Sequence, residues 1–117
     1  MDPLKDTLTS PKLNEVLKAF ELMRILDREI PGQLVSAFLY IASHNPCHKQ
    51  AMEEALGLQS SSGSRLVDWL SDYHRLGKPG LGLVKKQKDP YNMRRVLIKL
   101  TPKGEALAKQ FLDIIYG

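Results

Sequence analysis

Residues 83–104 constrain the fold of this chain more than any other segment. Their pattern predicts two short strands, a tight turn rich in cations and the start of a helix. Asp89-Pro90 favours the turn between the strands. Thr101 followed by Pro102 is typical of a helix start, with threonine as the cap and proline at the first helical position. We therefore expect a β-hairpin, over about 83–100, that leads directly into the last helix.

Two helices are predicted at the start of the chain. Pro11 after Ser10 is a plausible helix start, and Pro31-Gly32 marks the break after that helix. Its apolar residues follow helical spacing: Leu13, Val16, Leu17, Phe20, Met23 and Leu26. Residues 33–43 are apolar on nearly every side, so we expect this second helix to be central in the fold. Asn45-Pro46 ends it.

The next two helices predict a helix-turn-helix over about residues 47–76. A short helix from about His48 to Leu56 precedes Gly57, where the backbone can turn with positive φ. The following helix starts at Gln59 or Ser60. Its inner face holds Leu66, Val67, Leu70 and Tyr73. Two helices joined by a short turn that contains glycine form this unit. The predicted fold is mainly α with a small β-hairpin (α+β), a winged helix-turn-helix.

The length and composition bound the kinds of protein this chain can be. Its 117 residues suffice for one domain, over 10–117, after a flexible leader at 1–9. No apolar run approaches the roughly 20 residues of a membrane helix. The amino terminus has no signal pattern, so we expect a cytoplasmic protein without membrane contact. A single cysteine, Cys47, excludes an intramolecular disulfide and fits that compartment.

No catalytic motif is found, so we predict that the protein is not an enzyme and needs no cofactor. The sequence lacks a nucleotide-binding loop, a metalloprotease motif and a nucleophile elbow. His44, Cys47 and His48 lie close in sequence but have no fourth ligand, so we predict no metal site. A redox role for Cys47 would require an exposed thiol with a lowered pKa.

Positive charge is concentrated in one segment of the chain. The net charge is +4, yet residues 59–104 hold 10 Lys/Arg and 3 Asp/Glu, whereas the rest holds 7 and 10. Segregation of this kind is typical of a face that binds a polyanion. A basic surface that only keeps the protein soluble is the alternative, but solubility does not require segregated charge.

The start of the fourth helix is the first candidate site on this face. Helix amides without partners attract anions, and short hydroxyl side chains let a helix approach a nucleic-acid groove closely. The candidates are Gln59, Ser60, Ser61, Ser62, Ser64 and Arg65. The alternatives are that the serines only cap the helix and that Arg65 pairs with Asp68 one turn later. Gly63 indicates close approach to DNA or to a neighbouring helix.

The hairpin is the second candidate site. Lys85, Lys86 and Lys88 lie on one strand, and Arg94 and Arg95 open the other. Alternation along the strands sends these side chains to both faces. An arginine at a hairpin tip can enter a narrow minor groove, where the potential is most negative. Charges that protect an edge strand from aggregation are the alternative interpretation.

These segments resemble a known family. Residues 89–104 resemble the wing and following helix start of MarR-like winged-helix transcription regulators, and Leu56-Gly57-Leu58 with Ser64-Arg65-Leu66-Val67 resemble their turn and recognition helix. The similarity extends from about residue 30 to residue 111. It implies a regulator of double-stranded DNA, with the helix from Ser60 in the major groove and Arg94 in the minor groove. It also implies a dimer that represses promoters and releases DNA on binding a small-molecule effector.

The chain departs from the family pattern at several positions. Asn92 stands where an acidic residue usually braces the wing arginine, so either Asp89 takes that role or the brace is absent. Glu53 stands where a small residue is usual, and the link over 73–83 is longer than usual. The chain ends soon after one terminal helix, where the family normally adds a further dimerisation helix. The alternative is therefore an interaction or non-specific DNA-binding module within a larger replication or transcription assembly.

If the chain forms a homodimer, the first and last helices are the expected interface. Both helices are amphipathic, and the last one carries a broad apolar stripe. We expect Phe111, Ile114 and Ile115 to contact the second copy.

Overall fold

The computed structural model describes residues 10–72 and 77–116. The predicted leader at 1–9 and Tyr73 lie outside the described residues. Within those ranges the chain forms five helices and three strands in the order α1 (Pro11–Leu26), α2 (Gly32–Ser43), β1 (Cys47–His48), α3 (Lys49–Leu56), α4 (Ser60–Leu70), β2 (Val84–Asp89), β3 (Asn92–Leu100) and α5 (Pro102–Tyr116). No helix in these ranges is both long and apolar enough to cross a membrane.

The predicted α+β winged helix-turn-helix is confirmed, with one addition to its sheet. The hairpin of β2 and β3 is joined by β1, so the sheet is antiparallel with the order β1-β3-β2. Cys47 pairs with Ile98, and His48 pairs with Leu97. The helix predicted from about His48 is observed over Lys49–Leu56, and the strand before it was not predicted. The backbone of Cys47 and His48 is extended because it hydrogen-bonds to β3.

The core lies around α2, as its nearly continuous apolar sequence predicts. Met23, Phe38, Met52, Leu70 and Ile98 bring five elements together in it. Every one of these side chains is fully buried.

Phe111 of α5 also belongs to the core, which corrects the prediction that it contacts a second copy. Its side chain is only 5% exposed. Its ring lies 5.9 Å from the ring of Phe38, centroid to centroid, in a tilted arrangement. Ile114 is half-buried and packs at the margin of the core, whereas Ile115 is exposed. The apolar stripe of α5 is therefore divided between the core and the surface.

Helix α1 buries only part of its predicted apolar stripe. Ala19 and Met23 face the core, Leu26 is half-buried against it, and the remaining four members of the stripe are largely open to solvent. The exposed fractions of Leu13, Val16, Leu17 and Phe20 lie between 41% and 69%. Helix α1 contacts α5, which also carries exposed apolar residues, Leu112 and Ile115. The two helices therefore form one surface with exposed apolar side chains.

The base of the hairpin is tied to both neighbouring helices. The backbone N–H of Leu83 donates to the carbonyl of Leu70, at the end of α4, over 2.7 Å. The Thr101 hydroxyl donates to the carbonyl of Gly82 over 2.6 Å. It also accepts from the N–H of Gly104, which confirms Thr101 as the cap of α5. Gly104 is required there because a Cβ atom would overlap the Leu83 carbonyl.

Candidate nucleic-acid interface

The turn between α3 and α4 has the conformation expected of a helix-turn-helix. Gly57 has φ 65° and ψ 35°, in the left-handed region that favours glycine. The N–H of Leu58 donates to the carbonyl of Glu53 over 2.8 Å, which closes α3. Helix α4 begins at Ser60, as predicted, and the Gln59 side chain makes no capping hydrogen bond. The first amides of α4 are therefore not capped by Gln59 and can receive an anion.

Gly63 allows α3 and α4 to pack closely. A Cβ atom at Gly63 would overlap the carboxyl group of Glu53, which is itself buried. Lys49 Nζ lies 2.5 Å from Glu53 Oε2 and also donates to the backbone carbonyl of Ser60 over 3.3 Å. Of the two interpretations of Gly63, contact with a neighbouring helix is therefore the one observed. Position 53 of α3 holds the larger Glu53, and the small residue at this contact is Gly63 of α4.

The polar side of α4 presents most of its predicted contact residues to solvent. Gln59, Ser60, Ser61 and Arg65 are exposed, and Ser62 and Ser64 are half-buried. Arg65 Nη2 donates to Ser62 Oγ over 3.4 Å. The alternative pair between Arg65 and Asp68 is not formed, and Asp68 pairs with Lys86 of β2 instead.

The lysines of β2 project from both faces of the hairpin. Lys85 lies opposite Lys99, and Lys86 lies opposite the buried Ile98. Since side chains alternate along a strand, Lys86 and Lys88 share the core-side face and Lys85 lies on the other. Sequence reasoning did not single out Lys99, although its place opposite Lys85 would follow once the register is known.

Arg94 and Arg95 lie in an irregular part of β3. Lys88 pairs with Val96 and Asp89 with Asn92, so residues 93–95 have no pairing partner opposite them in β2. Both arginines are exposed. Among the residues that the structure describes, neither guanidinium has an ion-pair partner.

A groove brings these arginines together with the helix-turn-helix. It is lined by His48, Lys49, Gln50, Glu53, Ser60, Arg94, Arg95 and Val96. Of the predicted contact residues, the groove unites Ser60 with Arg94 and Arg95, whereas the others lie outside it. Sequence reasoning missed Lys49 and Gln50. The only signal for Lys49 was that it lies four residues before Glu53, on the same helix face. The groove combines several cations with a helix start, which suits a phosphate.

The acidic residue of the wing, Asp89, does not brace Arg94, so of the two alternatives the absent brace is the one observed among the described residues. Asp89 Oδ2 lies 2.7 Å from His48 Nε2, and Asp89 Oδ1 accepts from the N–H of Tyr91 over 2.8 Å. These hydrogen bonds, the one from His48 first, hold the pKa of Asp89 below its usual value. Asn92 Oδ1 instead accepts from the backbone N–H of Arg94 over 3.1 Å.

The lowered pKa of Asp89 predicts a loss of stability in acid. A carboxyl group with a lower pKa in the folded state stabilises that state above its unfolded pKa, about 3.9, and loses the effect as the pH falls through the folded value. We expect Asp89→Asn to lower the unfolding temperature at pH 6, and this difference to shrink below about pH 4. Thermal unfolding followed by circular dichroism measures both. The exposed Asp113→Asn is the control, and an equal Asp89 effect at every pH would contradict the prediction.

Cys47 and the two nearby histidines have separate environments. Cys47 is buried, and burial raises the pKa of its thiol, which is the opposite of what a redox sensor requires. The ring of His44 stacks on Tyr40, with 4.2 Å between centroids. His48 is bound to Asp89. In the described ranges no three His, Cys, Asp or Glu side chains are grouped to hold a metal ion.

Known structures share this fold. No protein-family model matches the chain, and a search of the curated proteins finds no match. The PcaV transcriptional regulator from Streptomyces coelicolor, in complex with its natural ligand, is 20% identical, with a TM-score of 0.58 over 86% of this chain and 70% of that one. Reduced AbfR bound to DNA is 17% identical, with a TM-score of 0.60 over 86% and 71%. MarR is 18% identical, with a TM-score of 0.60 over 87% and 74%.

The TM-scores of 0.58 to 0.60 cover the helices and the hairpin described above, since each similarity extends over 86–87% of this chain. The chain therefore has the winged helix-turn-helix fold of MarR-type transcriptional regulators.

Proposed function

We propose that this protein is a sequence-specific transcription regulator that binds double-stranded DNA, with α4 in the major groove and the hairpin in the minor groove. The observation that carries the proposal is the groove that unites Ser60 with Arg94 and Arg95. Both guanidiniums lack an ion-pair partner among the described residues and are exposed to a ligand. A similar fold is bound to DNA in AbfR, which supports the proposal.

The contacts divide between the helix and the wing. The first amides and hydroxyls of α4 can donate to a phosphate or a base edge, and Arg65 can pair with a guanine or a phosphate. Lys85 and Lys88 would contact the backbone on either side of the wing. Lys86 must first leave Asp68, so it would contribute less than its two neighbours.

The proposed regulator works by binding alone, acts in the cytoplasm and needs no catalytic group or cofactor. We propose repression as its mode of action and a small molecule as its effector. PcaV, which has a similar fold, is described with its natural ligand.

We further propose that the protein binds DNA as a homodimer through α1 and α5. The exposed apolar residues of α1 lie on a helix that packs against α5, where Leu112 and Ile115 are also exposed. Several exposed apolar side chains on two adjoining helices are typical of a surface that binds another protein. A two-fold dimer would bind a pseudo-palindrome with half-sites about one helical turn apart.

Leu17→Asp tests the dimer. An aspartate in the apolar interface would have to be buried without a partner, so we expect the variant to sediment as a monomer while the wild type sediments as a dimer. The DNA affinity of the variant should also fall, because a monomer binds one half-site whereas a dimer binds two. Lys18→Asp, on the exposed polar side of α1, is the matched control and should remain dimeric. A monomeric wild type at micromolar concentration would refute this interface.

Selection of bound duplexes from a random pool tests the function. We expect one enriched sequence with two related half-sites. Uniform recovery of the pool would favour the alternative, a non-specific or protein-binding module. Repeating the selection with Arg65→Ala identifies the bases that Arg65 contacts, since preference at those positions should relax.

A further inference from the structure

The contact between His48 and Asp89 joins two distant parts of the chain. His48 is the residue immediately before α3, and Asp89 is the last residue of β2. The side chains are 34% and 12% exposed, and the atoms that join them, Nε2 and Oδ2, are 2.7 Å apart. An ionised carboxylate only accepts, so the imidazole nitrogen donates this hydrogen bond.

The contact lies where the wing loses its regular pairing. Beyond Lys88 the ladder shifts register, and residues 93–95 have no partner opposite them. Hydrogen bonds of the sheet therefore do not fix the backbone that carries Arg94 and Arg95. The Asp89 carboxylate holds the turn from both sides, since Oδ1 accepts from Tyr91 N–H and Oδ2 accepts from His48. A second ion pair between the wing and the helix-turn-helix, Lys86 with Asp68, lies nearer the base of the hairpin.

We propose that the His48–Asp89 contact is a wing latch, which positions Arg94 and Arg95 over the start of α4 for DNA binding. The inference rests on the proposed function. His48, Arg94 and Arg95 line the same groove as Ser60, so the latch closes on the surface where the arginines are needed. Without the latch the arginines remain, but the segment that carries them is held by the hairpin alone, whose regular pairing ends at Lys88 and Val96.

Two other roles for His48 make different predictions. If His48 contacts DNA directly, removing His48 and removing the two arginines should lower the binding free energy independently, so that the two effects add. If it only stabilises the fold, its loss should leave the affinity of the folded protein unchanged. A positioning role predicts that the effect of His48 depends on the two arginines.

A double-mutant cycle on duplex affinity separates these roles. We expect His48→Ala to weaken binding roughly tenfold, within the range of coupling found for interacting neighbours. In a chain that carries Arg94→Ala and Arg95→Ala, the same change should cost less than about twofold. If His48→Ala weakens binding by the same factor with and without the two arginine substitutions, the latch is overturned. Unchanged affinity of the His48→Ala protein would also overturn it.

Two variants control for folding and chemistry. His44→Ala removes an exposed histidine four residues earlier and should not alter affinity. His48→Gln retains a side-chain donor and should restore part of it. If His48→Ala fails to fold, Asp89→Asn replaces it in the cycle with the same expected pattern.

Hydrogen exchange without DNA tests the latch independently of the proposed function. The amides of Tyr91 and Arg94, which donate to the side chains of Asp89 and Asn92, should exchange faster in His48→Ala than in the wild type, whereas those of Lys99 and Leu100 at the base should not change. Equal exchange at the tip would overturn the latch even if the protein binds DNA. Faster exchange in a protein that does not bind DNA would leave the contact intact and refute the function instead.

Discussion

Replacing Phe111 with alanine is expected to lower the free energy of unfolding by about 3–5 kcal/mol. The change removes a buried ring from the core and leaves a cavity against Phe38, whose ring is 5.9 Å away. Net stability of a single domain is commonly about 5–15 kcal/mol, so the variant would be severely weakened. Urea unfolding followed by tryptophan fluorescence measures the difference through Trp69, the only tryptophan of the chain.

The control for Phe111 is Ile115→Ala on the same helix. Ile115 is exposed, so its loss should change monomer stability by less than about 0.5 kcal/mol. If Ile115 lies in the proposed dimer interface, its loss should weaken dimerisation instead. A small effect on unfolding from Phe111→Ala would mean that Phe111 is not packed in the core and would restore its assignment to the interface.

The combined change Ser60→Asp and Ser61→Asp should abolish DNA binding while leaving the fold stable. Two carboxylates at the start of α4 would face the phosphates, and juxtaposed like charges at an interface cost several kcal/mol. We expect affinity to fall at least about 100-fold. In the free protein the same acids lie at a helix N-terminus, where each contributes about 0.3–1 kcal/mol of stabilisation. Binding and stability should therefore change in opposite directions.

Gln33→Asp is the matched control for this pair. It also places an acid in the first turn of a helix, α2, and its side chain is exposed but does not line the groove. It should leave DNA affinity nearly unchanged. Equal affinity of the Ser60→Asp, Ser61→Asp protein and the wild type would remove the start of α4 from the interface.

Much of the fold could be predicted because the relevant signals are local. Thr101, Pro102 and Gly57 act on their own backbone segments, and each takes the predicted place. The two-residue strand β1 could not be predicted, because two residues show no periodicity. The apolar stripe of α5 identifies an apolar face, but only packing against α2 divides it into buried Phe111 and exposed Ile115.

The candidate site was predictable as residue types but not as an arrangement. A serine-rich helix start and a basic hairpin follow from the sequence. The partners of individual charges do not, because Lys86 with Asp68 and His48 with Asp89 are joined only by the tertiary fold. The same applies to Lys49, whose position beneath Ser60 depends on the α3–α4 crossing that Gly63 permits.

The salt dependence of duplex affinity tests the account most directly. Five exposed cations of the candidate site, Arg65, Lys85, Lys88, Arg94 and Arg95, have no carboxylate partner among the described residues. If most of them contact phosphates, log affinity should fall against log salt with a slope of about −4 per chain, since each contact contributes about −0.9. The slope should become shallower by about one unit in Lys88→Ala. Phosphate contacts weaken strongly between about 50 and 200 mM salt. A duplex affinity that hardly changes over that range would contradict the proposal that the protein binds DNA.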